Sequence, residues 1–91
     1  MTRFEVYKII DGERAYQLER HRNHNKPHRD EGHSVADWII YMEYQIQEAK
    51  LQIYDLDIDR ALENVRKITA LGVACMECND TLPRKEERCH D

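Results

Sequence analysis

Three acidic side chains, Glu43, Glu48 and Glu63, are the residues of this chain with the most direct route to chemistry. Acids on facing helices can hold Mg²⁺ against a pyrophosphate when they recur at i, i+3 or i, i+4. Here Glu43 and Glu48 are five apart, about 140° round a helix. Glu63 is followed by Arg66 and Lys67, where a second acid would be needed. The plainer expectation is a solvated face with an intrahelical ion pair. Mg²⁺ therefore stands as an alternative, and the primary expectation is no cofactor and no catalytic residue.

A second cluster is His21, His24, His28 and His33, with Arg20, Arg22, Lys26 and Arg29 among them. Those cations would repel a metal. They suit an anion better, because Arg and Lys give charge-assisted hydrogen bonds to phosphate. The helix start near Ser34 adds backbone N–H groups. Cys75-x-x-Cys78 with Cys89-His90 has the outline of a zinc site, but cysteines at i, i+3 on a helix pack as small hydrophobes. Of the aromatics, Tyr16 and Tyr44 lie off the main apolar stripes and are the better placed to stack on a base. The ligand set read from the sequence is Arg14, Tyr16, His33, Tyr44, Arg66 and Lys67. Arg66 and Lys67 have an equally good reading as surface partners of Glu63. No Ser-His-Asp or Cys-His nucleophile pattern and no Gly-rich phosphate loop is present, so the reading leans away from an enzyme.

Helices must position these groups. The 91 residues suffice for one small domain, and a domain of this size buries a modest share of its surface. Charged residues at 35% and hydrophobic ones at 41% place the chain among globular proteins. A net charge of −4 argues against binding DNA or RNA polymers. No signal peptide or membrane span is visible, and three cysteines make no disulfide framework. The expected location is the cytoplasm, without a membrane partner.

Thr2-Arg3-Phe4-Glu5 has the form of a capping box and opens a shorter helix over about 3–20, with a weak point at Asp11-Gly12. A polar loop covers 21–33. Ser34 caps a second helix over about 35–55, in which Val35, Ile39, Met42, Ile46, Ala49, Ile53 and Leu56 form a heptad seam. Asp57 or Asp59 caps a third over about 58–78. Its stripe Ile58, Ala61, Val65, Ile68, Gly72 and Cys75 answers that seam, and Leu62, Thr69 and Met76 form a second stripe for a second partner. The fold expected is all-α, a long antiparallel helical hairpin plus a shorter N-terminal helix. It forms one domain over 1–82 with a charged flexible tail over 83–91. From Ile68 to Met76 only Thr69 is polar. A helix apolar all round needs cover all round, so the chain is expected to assemble into a homo-oligomeric helical bundle.

The blocks Gly12-Glu13-Arg14-Ala15-Tyr16-Gln17, His33-Ser34-Val35-Ala36-Asp37-Trp38-Ile39-Ile40-Tyr41-Met42-Glu43 and Val65 to Glu77 together resemble a set of small helical proteins of tailed phages and prophages. Their arrangement is loosely similar to the MazG-like all-α nucleotide pyrophosphohydrolases. That likeness implies Mg²⁺ on ExxE and ExxD-type motifs, from which this chain departs at Arg66. A class-level similarity to phage-encoded cyclic-nucleotide sponges implies a non-enzymatic oligomer that sequesters a host immune signal as an anti-defence measure. The leading expectation is accordingly a phage protein that binds a small nucleotide-like anion. The alternatives are a divergent MazG-like hydrolase and an interaction module that inhibits a host enzyme.

Overall fold

The computed structural model describes residues 1–23 and 32–85. They form three α-helices and, among the described residues, no strand: α1 Arg3–Asn23, α2 Val35–Tyr54 and α3 Ile58–Asn79. With 21 residues, α1 is as long as its neighbours and not the shorter helix expected. It also runs unbroken through Gly12. A Cβ added there would meet nothing within 4 Å, so no packing demand accounts for this glycine. The helix also takes in His21 to Asn23 of the polar loop expected over 21–33; residues 24–31 of that loop, with His24 and His28, and residues 86–91 of the tail lie outside the described residues.

Each helix start follows from a side chain that replaces a missing intrahelical acceptor. The Thr2 N–H donates to Glu5 Oε1 at 2.8 Å, and the Glu5 N–H donates to Thr2 Oγ1 at 3.1 Å. Hydrogen bonding to the Glu5 carboxylate, first from the Thr2 backbone N–H and then from the Thr2 hydroxyl, holds this carboxyl below its ordinary range. Ser34 and Asp37 repeat the reciprocal arrangement at the start of α2. Asp57 caps α3 by accepting from the Arg60 N–H at 3.1 Å. Between α2 and α3 the chain turns at Leu56, a leucine at φ 62°, the left-handed region that side chains disfavour. Asp80 ends α3 at φ 51°, its N–H on the Met76 carbonyl.

The α3 helix is central. It packs against α2 and against α1, while α1 and α2 make no contact with each other among the described residues. Toward α2 it presents Ala61, Asn64, Ile68 and Gly72. The Asn64 amide donates to Gln45 Oε1 at 3.0 Å, and the Cα of Gly72 faces the Met42 sulfur. Toward α1 it presents Arg66, Ala70, Ala74 and Glu77, about half a turn away on the helix. Ala70 and Ala74 are 0% and 1% exposed, so close approach there rests on alanine rather than on glycine.

The α2 seam is displaced from the one expected. The residues turned inward are Trp38, Met42, Gln45, Ala49 and Gln52, whose 4-3-4-3 spacing makes one stripe. Val35, Ile39, Ile46 and Ile53 stand beside that stripe, and each is more than 40% exposed. Likewise Ile58 and Val65 of the expected inner stripe of α3 are exposed. They line up with Leu62, Thr69 and Met76, which α1 does not cover. The physical reason is that α1 docks through ion pairs and alanines, and α2 through a half-polar seam. The more apolar stripes are left outside.

Little apolar burial results. Among the described residues, Ile10, Trp38, Ala61, Ala70 and Ala74 are the buried apolar side chains. No described helix is long and apolar enough to cross a membrane.

Candidate functional site

The six side chains singled out as ligand contacts do not converge. Arg14 and Arg66 both lie at the α1–α3 contact. Arg66 Nε donates to Glu13 Oε1 and Arg14 Nε to Glu77 Oε1, each at 2.8 Å. Arg14 and Glu13 are buried, so these pairs tie α1 to α3. Arg66 thereby bonds across helices, and the intrahelical partnership expected with Glu63 is not formed. Tyr16 is exposed on α1 and Tyr44 on α2.

His33 sits before the start of α2 in an aromatic cluster. Its ring meets Trp38 and Tyr41 edge-on, each at a centroid distance of 5.2 Å. Its Nδ1 is 3.8 Å from Asp37 Oδ2. Trp38 is 3% exposed, and its indole N–H has no hydrogen-bond partner among the described residues. An orphaned buried donor costs about 1–3 kcal/mol, so apolar packing must hold this ring in place.

Lys67 lines a cleft between α2 and α3. Glu48 and Gln52 of α2 and Arg60, Glu63, Asn64 and Lys67 of α3 enclose about 360 Å³ between them. The cleft exists because Ala49 and Ala61 let the helices approach, while the longer polar side chains beside them splay toward solvent. No ion pair among the described residues occupies Arg60, Lys67, Glu48 or Glu63. The Asn64 amide nitrogen is engaged with Gln45, which leaves its carbonyl oxygen as an acceptor. The cleft thus offers two cations, two carboxylates and two amides at the size of a small-molecule site.

Sequence reasoning passed over Arg60, Gln52 and Asn64. The signal was present: Gln45, Gln52 and Asn64 fall on the inward register, where polar residues between Trp38, Met42 and Ala49 mark a seam open to something polar.

The alternative Mg²⁺ set is half assembled. Glu48 and Glu63 share the cleft, but Glu43 is exposed elsewhere on α2. No group of three His, Cys, Asp or Glu among the described residues is placed to hold a metal ion. Arg60 and Lys67 stand where they would repel one, so the donor set does not fit Mg²⁺. Cys75 is half-buried and Cys78 is exposed. No protein-family model, curated protein or solved structure matches the chain.

Proposed function

We propose that this chain is a non-enzymatic subunit of a homo-oligomer and that its α2–α3 cleft binds a small nucleotide-like anion. The observation that carries this reading is the pair of cations, Arg60 and Lys67, set in a 360 Å³ cleft with no ion-pair partner among the described residues. A phosphate suits them, since charge-assisted bonds from Arg and Lys are the strong ones. Gln52, Glu48 and the free oxygen of Asn64 match the donors and acceptors of a base edge or a ribose. Two acids beside two cations favour holding a ligand over Mg²⁺-assisted phosphoryl transfer. The protein then acts by lowering the free concentration of its ligand, as a phage-type sponge for a host immune nucleotide does.

Calorimetric titration with nucleoside mono-, di- and triphosphates and with cyclic dinucleotides tests this. One class should bind, and Lys67→Gln and Arg60→Gln should each weaken it about tenfold. The bound class should also fail to reach its receptor when the protein is in excess. Absence of binding for every class would end this reading. Release of pyrophosphate, lost in Glu48→Gln, would replace it with hydrolysis.

A further inference from the structure

We infer that one face of the α2–α3 pair is the contact with a second copy of this chain, closing a four-helix core around a two-fold axis. The inference rests on the homo-oligomer part of the reading above and not on the ligand.

Helical phase makes the face. On α2 the stripe of Ile39, Ile46 and Ile53 lies to one side of the inward seam, and Glu48 lies to the other. On α3, Leu62, Val65 and Met76 lie to one side of the residues that meet α2, and Arg60, Glu63 and Lys67 lie to the other. Glu48 and Lys67 share the cleft, so both apolar stripes fall on the side opposite to it. They run alongside each other as one exposed surface. The polar interruption of the α3 stripe is Thr69, and its hydroxyl already donates to the Val65 carbonyl at 2.8 Å. Covering the face therefore strands no polar group at Thr69.

Three observations select a second copy as the cover. Ile39, Ile46, Ile53, Leu62, Val65 and Met76 each keep more than 40% of their surface exposed in the single chain, an apolar patch of the kind that marks a protein–protein contact. The stripes keep a heptad repeat, which interdigitates with an identical repeat. Finally, Glu43 and Lys50, one heptad apart, flank the α2 stripe with opposite charges. An antiparallel meeting of identical stripes then places unlike charges together. The two clefts of such a dimer face away from each other and stay open.

Sedimentation equilibrium of Ile46→Glu and Val65→Glu, beside Leu51→Glu on the other side of α2, tests this. The first two should sediment at half the mass of the parent or less, and Leu51→Glu should keep the parent's mass. If either charged variant loses its helical circular dichroism, the double variant Leu62→Ala, Val65→Ala serves instead, with an expected rise of at least about tenfold in dissociation constant. Unchanged mass in the face variants, or dissociation by Leu51→Glu as well, overturns this face while leaving an oligomer by another route. A parent that is monomeric at every concentration overturns both.

Discussion

Glu13 is a buried carboxylate near the middle of a largely exposed helix, and Arg66 is the side chain that makes its burial tolerable. Removing one partner of a buried pair leaves the other charge without its solvent or its partner. Arg66→Ala should therefore lower the unfolding free energy by about 2 kcal/mol. Glu63→Ala, on the exposed cleft wall, should change it by less than about 0.5 kcal/mol. Urea titration of the two variants separates these outcomes. The pairing was not legible in the sequence. Glu63 stands three residues from Arg66 and made a local partner plausible, whereas Glu13 lies on another helix, and no periodicity reports an angle between helices. Glu5 illustrates the opposite case, since the spacing of Thr2 and Glu5 announces the capping box. Its folded carboxyl titrates lower than in the unfolded chain, so the cap is fully present above the unfolded value and is lost as pH falls through the folded one. The start of α1 should fray as pH falls through that lowered value, read as faster exchange of its first amides, and Glu5→Gln should remove that pH dependence.

Among elements, helix number, caps and ends were the most legible feature. Ser34, Asp57 and the Asn79-to-Pro83 stop act through local hydrogen bonds and φ preferences, which a sequence displays directly. What the sequence did not display was the side of each helix that meets its intrachain neighbour. The expected seam on α2 took the most apolar stripe as the inner one. The structure turns inward an adjacent stripe with two glutamines, because α3 offers it Asn64 and small residues rather than a leucine row. The apolar stripe itself is present, exposed beside the inward one. Two predictions belong to this scale. Gly12→Ala should stabilise α1 by roughly 1 kcal/mol, because the position is helical, exposed and open. Ala70→Leu should destabilise by about 1–3 kcal/mol, because that residue is fully buried where α1 crosses. Thermal melts monitored at 222 nm (the helical band) read both.

Across the whole molecule, α3 is covered on two sides by its own chain and bare on a third. The bare side is made by Ile58, Leu62, Val65, Thr69 and Met76, whereas most of the stretch from Ile68 to Met76 is buried or half-buried by its own chain. The candidate site was less legible. Lys67 reaches a cleft, whereas Arg14 and Arg66 serve the fold, and Arg60 emerged only once α2 and α3 were placed side by side. Composition and spacing identify side chains able to meet a phosphate. Tertiary partners decide which of them remain available to do so. The central claim is that copies of this chain assemble and hold a small anion. Native mass spectrometry of gently purified protein, repeated after denaturing extraction, tests it most directly. The account predicts an even multiple of the 10.9 kDa chain carrying several hundred daltons of extractable mass per cleft. A bare single chain, with nothing released on denaturation, would contradict it.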